Sequence, residues 1–262
     1  MSSMTHPVMD GAEAWSSPGK GEAARTGVIV VHGFTGNPHS TRPVGELLAD
    51  QGYAVEVVRL PGHGTHWKEM AATRYLDWRG EAERVTDELK ARCERVVLVG
   101  LSMGGTIALD IASRKPDGVA GVVAINAQLL DPDQFLAKLS PILQHVIPAV
   151  KRDLAGLPSD DIAKPGADER AYDMVPSKAA HSLVVELPRI RAQLLDLELP
   201  VLVAYSPQDH TVPVKNSLAI KQLASRADVT ELELPRSYHV ATLDWDRDLL
   251  EQAILDFTAR VG

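Results

Sequence analysis

The sequence predicts an α/β fold in which a mainly parallel central sheet is covered by helices on both faces. Short apolar runs rich in valine and isoleucine alternate along the chain with segments of helical periodicity. Most of these runs are almost entirely apolar, which is typical of strands that are buried on both faces. Glycine-rich segments such as HGFTG and LPGHGTH directly follow two of these runs. In such sheets ligands bind beyond the carboxyl ends of the strands, so the residues that follow each strand are the candidates for function.

The elements alternate in order, apart from one long interruption. The strand predictions depend on β-branched runs, and the helix predictions on apolar residues three and four positions apart. In chain order we predict strand 28–31, helix 43–51, strand 54–59, helix 75–92, strand 95–99, helix 103–113, strand 119–125, strand 200–205, helix 214–223, strand 229–234 and helix 244–259.

The interruption covers residues 128–190 and has no run of the parallel-strand type. Its helical pieces are broken by Pro141, Pro148, Pro176 and Pro188. We predict a helical insertion over one edge of the sheet that serves as a cap or lid, with ordinary packing helices as the alternative. The predicted division is a core of residues 1–127 and 191–262 and a cap of residues 128–190.

Composition excludes several classes of protein. A net charge of −8 argues against nucleic-acid binding, which needs clustered Lys and Arg. The only cysteine, Cys93, excludes an intramolecular disulfide and a cysteine-based metal cluster. The first residues show no basic start with an apolar core, and no run approaches 18 apolar residues, so we expect a cytoplasmic protein.

The stretch GLSMG, residues 100–104, places a serine between a predicted strand and a predicted helix. It fits the G-x-S-x-G pattern, in which a sharp turn holds a nucleophilic hydroxyl above the sheet. The glycines allow strand and helix to approach closely. The pattern alone is weak, and its position at a strand end makes Ser102 the candidate nucleophile.

A serine nucleophile needs a general base that is oriented by a carboxylate. On this type of fold the acid and then the histidine follow the serine in chain order. Asp209 follows strand 200–205 and His239 follows strand 229–234, so all three side chains fall at the same edge of the sheet. His210 is the competing base, and we discount it because it precedes the last strand.

Two backbone N–H groups are candidates for stabilising a developing oxyanion, those of Met103 and Phe34. Met103 follows the serine, and Phe34 lies in the HGFTG loop after the first predicted strand. A phosphate-binding loop is the alternative for HGFTG, but no Walker lysine follows. His32, His39, His63 and His66 could suggest a metal, yet no HExxH motif or group of carboxylates accompanies them, so we predict no metal site and no cofactor.

The motifs HGFTGNPHSTRP, LPGHGTHWKEM, GLSMGG, DHTVP and SYHVATLD occur in an order that resembles the bacterial monoacylglycerol lipase and carboxylesterase group of the α/β-hydrolases. The resemblance implies a Ser102–His239–Asp209 triad, a helical cap and a lipid ester substrate. It also implies that an acidic cap residue, Glu169 in DERAYDMVP, binds the glycerol hydroxyls; a solvated helix residue is the alternative. The expected activity is hydrolysis of monoacylglycerols to fatty acid and glycerol.

Two other functions remain open from the sequence. One is a general carboxylesterase without glycerol specificity, and the other is a non-catalytic binding protein on the same fold. We also hypothesise transient contact of the cap with micelles or membranes through its apolar residues, which are Phe135, Leu136, Leu139, Ile142, Leu143 and Ile147.

Overall fold

A computed structural model of the chain describes residues 6–114, 117–133, 140–158 and 160–262. Its strands are β1 (Trp15–Ser17), β2 (Thr26–Val31), β3 (Ala54–Val58), β4 (Arg95–Leu101), β5 (Val119–Ile125), β6 (Ala149–Lys151), β7 (Met174–Pro176), β8 (Val201–Tyr205) and β9 (Val229–Glu233). Its α-helices are α1 (Arg42–Asp50), α2 (Trp67–Ala71), α3 (Tyr75–Lys90), α4 (Met103–Arg114), α5 (Ser140–Val146), α6 (Ser177–Val184), α7 (Leu187–Leu194), α8 (Lys215–Leu223) and α9 (Arg247–Val261).

The central sheet has the strand order β1-β3-β2-β4-β5-β8-β9. Only β1 runs antiparallel to its neighbour; the other pairs are parallel. Alternate residues of β4 enter two different cores, Val97 and Val99 on one face and Val96 and Leu98 on the other. The central strands of the sheet are therefore buried on both faces, as their continuously apolar sequences predict, whereas the edge strand β9 is largely exposed.

The predicted strands and helices of the sheet region are all present, with ends that differ by a few residues. The largest difference is at α9, which begins at Arg247 rather than at residue 244. The Asp244 carboxylate accepts backbone N–H bonds from Tyr238 and Trp245 and from the insertion, so this residue fastens a loop instead of starting the helix. Strand β1 was not predicted because three residues show no periodicity.

The insertion is less helical than we predicted. Its described residues include α5, α6 and part of α7, but also the antiparallel pair β6–β7. Each of these strands has three residues; β6 directly follows Pro148, and β7 ends at Pro176. The prolines therefore suggested broken helices at positions where the structure has a two-stranded ribbon. The predicted boundary at residue 190 falls within α7, whose Arg189 donates a 2.7 Å hydrogen bond to buried Asp110 of α4. The division into core and cap stays a prediction.

In the described part of the chain, no helix combines the length and the apolar character needed to cross a membrane.

Candidate active site

Ser102 lies at the tight turn between β4 and α4. Its backbone has φ 55°, in the left-handed region that a residue with a Cβ rarely adopts. The Ser102 N–H donates to the carbonyl of Ile125 at 2.8 Å, which holds this turn against the end of β5. Only 8% of Ser102 is exposed, so its hydroxyl faces an enclosed environment.

The glycines of the turn are required by close contacts between backbone segments. A Cβ on Gly104 would lie 2.1 Å from the carbonyl oxygen of Val31. A Cβ on Gly100 would lie 2.2 Å from the carbonyl carbon of Gly104. Both distances are far below van der Waals contact, so any side chain at either position would displace the serine.

Asp209 and His239 lie on neighbouring loops that follow β8 and β9. His239 Nδ1 lies 2.7 Å from Asp209 Oδ2, and because a carboxylate only accepts, Nδ1 carries the proton. The other Asp209 oxygen, Oδ1, accepts the N–H groups of Thr211 at 2.8 Å and Val212 at 2.6 Å. The carboxylate is therefore fixed on both sides, and the His239 Nε2 lone pair is left for the substrate side.

The pKa of His239 lies above its usual value. Burial acts to lower that pKa, but the charge and hydrogen bond of Asp209 outweigh it, and the carboxylates of Glu169 and Asp161 act in the same direction. The surroundings of His239 thus favour the imidazolium, the state that a general base reaches when it takes up a proton.

Ser102 and His239 line one cavity, together with Phe34 and Met103. Gly33 lies against the serine, since a Cβ there would be 3.3 Å from the Ser102 Cβ. The structure therefore brings the predicted nucleophile, the predicted base and both predicted oxyanion donors to one place. Most of the remaining lining residues belong to the insertion and are apolar; they include Val150, Leu157, Val175, Leu183, Val184 and Leu187.

Glu169 also lines this cavity, in a loop rather than in the helix that the sequence suggested. It is 3% exposed, which contradicts the alternative of a solvated helix residue. Its Oε2 lies 3.3 Å from Nη2 of buried Arg152, whose Nη1 donates to Thr35 Oγ1. Burial raises the pKa of Glu169, while Arg152 and His239 act against that rise.

His32 supports the loop of the predicted oxyanion donor Phe34. Its Nδ1 donates to the carbonyl of Gly33 at 2.9 Å, and its Nε2 accepts the N–H of Leu60 at 3.2 Å. This pattern requires the neutral imidazole. Burial lowers the pKa of His32 to about 4.

We expect this buried histidine to make folding sensitive to acid. The unfolded chain takes up a proton on His32 near its usual pKa of 6.5, whereas the folded protein does so only near pH 4, so stability falls with pH between these values. Urea unfolding of the wild type should lose about 2 to 3 kcal/mol more than His32→Gln between pH 7 and pH 4.5. The exposed residue His145 supplies the control, His145→Gln, which should keep the wild-type slope. Equal slopes for the wild type and His32→Gln would contradict this role.

The four histidines that could suggest a metal site, His32, His39, His63 and His66, are not among the residues that line the cavity. The His32 and His63 rings are 5.0 Å apart, His66 stacks on His6, and His39 lies near Arg170. Among the described residues, no group of three or more His, Cys, Asp or Glu side chains could hold a metal ion.

The discounted base His210 forms a second His–Asp pair, with Nδ1 2.7 Å from Asp161 Oδ1. Its side chain is 57% exposed and is not among the residues that line the cavity, in contrast to that of His239.

The sequence analysis did not identify Asn126 as a site residue. Asn126 follows β5, and its hydrogen bonds connect the end of β5 to the end of β8 and to the histidine loop, the loop after β9 that carries His239. Asn126 has φ 45°, and its Nδ2 donates to the carbonyl of His239 at 2.8 Å while its Oδ1 accepts the N–H of Ser206 at 2.8 Å. Its position directly after a buried strand was a usable signal. Arg152 and Asp161 had no such signal, because they lie in irregular parts of the insertion.

Comparison with known proteins shows that most of the chain matches one protein family. The family model described as serine aminopeptidase, S33 matches residues 22–246. The thermostable monoacylglycerol lipase of Bacillus sp. (strain H-257) is 36% identical over 264 residues, covering 97% of each chain. The carboxylesterase of Bacillus subtilis (strain 168) is 23% identical, covering 89% of this chain and 92% of the relative.

Solved structures show the same likeness. One from a study of two metagenome-derived lipolytic enzymes superposes with a TM-score of 0.89 at 34% identity, covering 97% of this chain and 100% of that one. The monoacylglycerol lipase of Paleococcus ferrophilus gives a TM-score of 0.79 at 22% identity over 95% of this chain and 100% of that one, a likeness that concerns the fold.

Proposed function

We propose that this chain, which belongs to the hydrolase family described as serine aminopeptidase, S33, cleaves monoacylglycerols into fatty acid and glycerol. The observation that carries the proposal is the mixed lining of the cavity. Apolar side chains of the insertion and the buried Glu169–Arg152 pair line the same cavity as Ser102. A molecule with one acyl chain and a small polyhydroxyl head matches both kinds of lining.

The proposed reaction is acyl transfer to serine and then to water. Ser102 Oγ attacks the ester carbonyl while His239 Nε2 takes its proton and later gives it to the leaving glycerol oxygen. Asp209 holds the protonated Nδ1 of the imidazole and stabilises the imidazolium. The N–H groups of Phe34 and Met103 stabilise the oxyanion, for which one donor contributes about 3 kcal/mol. Water then repeats the steps on the acyl-enzyme.

The direct test is a comparison of kcat/KM among esters of one fatty acid. We expect the monoacylglycerol to exceed the di- and triacylglycerols and the methyl ester. The insertion lines much of the cavity, and only the monoacylglycerol combines one chain with free hydroxyls. If the methyl ester were hydrolysed equally well, the serine chemistry would stand but the glycerol specificity would not.

A general carboxylesterase is the second candidate, supported by the carboxylesterase relative. Glu169 distinguishes the two functions, because a carboxylate that lines the cavity can accept hydrogen bonds from glycerol hydroxyls but finds no such donor in an aryl ester. We expect Glu169→Gln to lower kcat/KM for a monoacylglycerol by about 10-fold or more, and for an aryl ester of the same acid by less than about 3-fold. Equal losses on both substrates would favour the carboxylesterase.

An aminopeptidase activity, which the family description mentions, fits the cavity less well. The carboxylate of Glu169 could attract a substrate ammonium, but the Arg152 guanidinium already lies 3.3 Å from it. A like charge that close disfavours a second cation. Leucine p-nitroanilide belongs in the substrate panel for this reason, and we expect no turnover of it.

We also propose transient contact with lipid aggregates through the insertion. Ile142, Val146 and Leu154 expose 65%, 68% and 67% of their surface, close in sequence to the cavity residues Val150 and Leu157. Phe135, Leu136 and Leu139 of the original hypothesis lie outside the described residues, as does the side chain of Leu143.

Cosedimentation with phosphatidylcholine vesicles tests this contact. Ile142→Asp with Val146→Asp should weaken binding more than 10-fold, since each apolar side chain contributes about 1.5 to 3 kcal/mol when buried. Leu218→Asp, a change at another exposed leucine, is the control. Unchanged binding of the double variant would contradict the contact. We propose that the protein is otherwise located in the cytoplasm and contacts lipid aggregates only transiently.

A further inference from the structure

Four residues of the insertion, 161–164, contact both loops that carry the proposed base and its carboxylate. We call this segment the clasp. Asp161 is only 2% exposed although it is charged, and its side chain and backbone both accept hydrogen bonds from the sheet region.

The Asp161 carboxylate holds the loop that follows β8. Its Oδ2 accepts the backbone N–H of His210 at 2.9 Å and the hydroxyl of Thr211 at 3.2 Å. Its Oδ1 lies 2.7 Å from His210 Nδ1. These partners follow Asp209 directly in the chain.

The Asp161 carbonyl holds the loop that follows β9, because it accepts the N–H of Val240 at 3.1 Å. Asp244 fastens the same loop to the other end of the clasp. Its carboxylate accepts N–H bonds from Ala163 at 2.8 Å, Lys164 at 2.9 Å and Tyr238 at 2.8 Å. His239 is thus held from both sides. Val240 bonds to the clasp directly, and Tyr238 bonds to the Asp244 carboxylate, which itself bonds to the clasp.

The loop that carries His239 follows a strand at the edge of the sheet. Strand β9 is the last strand in the sheet order, and among the described strands it pairs with β8 alone. On the β8 side, Asn126 bonds to the His239 carbonyl. The clasp adds contacts to this loop from the insertion.

We propose that Asp161 is a positioning residue for His239 and Asp209, fixing their two loops at the separation that the 2.7 Å hydrogen bond between them requires. This inference rests on the proposed function, since it assigns Asp161 a role in the same reaction. Asp161 acts through the loops and touches no reacting atom. Displacing a reacting group by about 1 Å can cost about 10²-fold in rate.

The Asp161 charge provides a second, independent readout. The charged groups that face His239 are Asp209, Glu169 with its partner Arg152, and Asp161, and the carboxylates among them raise its pKa. Removing the Asp161 charge should move the acidic limb of the pH profile of kcat/KM to lower pH. A residue that only stabilises the fold would leave this limb in place.

The experiment compares Asp161→Asn and Asp161→Ala with wild type on an aryl ester and on a monoacylglycerol. Rates are normalised to active sites by burst titration, so unfolded protein does not count. We expect kcat to fall about 10-fold in Asp161→Asn and about 100-fold in Asp161→Ala, with KM within about twofold and the acidic limb lowered in both. Asp173→Asn, an exposed carboxylate of the same insertion, should match wild type.

The outcomes separate this inference from the function on which it rests. If wild type hydrolyses neither ester, the proposed function fails and the inference fails with it. If wild type is active and both variants keep its kcat per active site and its acidic limb, only the role of Asp161 is wrong. Failure of both variants to fold at any temperature tested would also overturn the inference, because a purely structural role would then account for the residue.

Discussion

Replacing Ser102 by alanine should lower kcat on an ester substrate by about 10⁴- to 10⁶-fold. The change removes the nucleophilic oxygen and leaves the remaining machinery in place, so no acyl-enzyme can form. Alanine also lacks the hydroxyl but keeps the Cβ, for which the turn at φ 55° already has room. The fold and the thermal midpoint should therefore stay close to those of the wild type.

One measurement and one control variant make this expectation specific. Labelling by a serine-directed fluorophosphonate should be rapid in the wild type and absent in Ser102→Ala. Ser113→Ala supplies the control, because Ser113 lies on the same helix α4, its hydroxyl donates to the carbonyl of Leu109, and it is not among the residues that line the cavity. If the wild type failed to react with the probe, the protein would be a non-catalytic binding protein on this fold. Labelling at another serine would show that this other serine, and not Ser102, is the nucleophile.

The sequence alone was sufficient to predict the fold class and to predict that Ser102, Asp209 and His239 lie at one edge of the sheet. The predicted α/β-hydrolase fold is confirmed by the parallel sheet and by a full-length structural likeness. Ser102, Asp209 and His239 each follow a strand, and parallel strands bring their carboxyl ends to one edge without any detailed geometry. Their catalytic roles remain proposals that the variants above and below test.

The polar part of the cavity was much harder to predict. Glu169 was named only through a resemblance, and its partner Arg152 was not identified at all. Both lie in irregular segments of the insertion, where neither helical nor strand periodicity constrains the backbone. Their pairing depends on tertiary contacts between residues 17 positions apart, which no local pattern encodes.

The missed supports of the histidine loop have a different cause. Asn126 and Asp161 are ordinary polar residues in the sequence, and their function arises from which backbone N–H and carbonyl groups they meet. The strand-end rule could have found Asn126, since this residue directly follows β5. It could not have found Asp161, which approaches the same edge of the sheet from the insertion.

Asp209→Asn should lower kcat by about 10⁴-fold, more than any change at Asp161. The structure dictates the orientation of the new amide. Two backbone N–H groups, those of Thr211 and Val212, donate to the position of Oδ1, so the asparagine oxygen stays there. The asparagine NH₂ group must then face His239 Nδ1, where it can only donate. Nδ1 becomes the acceptor, the proton moves to Nε2, and the imidazole can no longer take the proton of Ser102.

The pH profile distinguishes this tautomer exchange from general damage to the site. Loss of the Asp209 charge lowers the pKa of His239, because burial then acts with less opposition. The acidic limb of kcat/KM should therefore move to lower pH while the plateau falls. Asp228→Asn, which removes the carboxylate of an exposed pair with Arg260, should change neither. A plateau within about 10-fold of wild type in Asp209→Asn would mean that another group orients His239, and the second pair at Asp161 and His210 would then be the next to test.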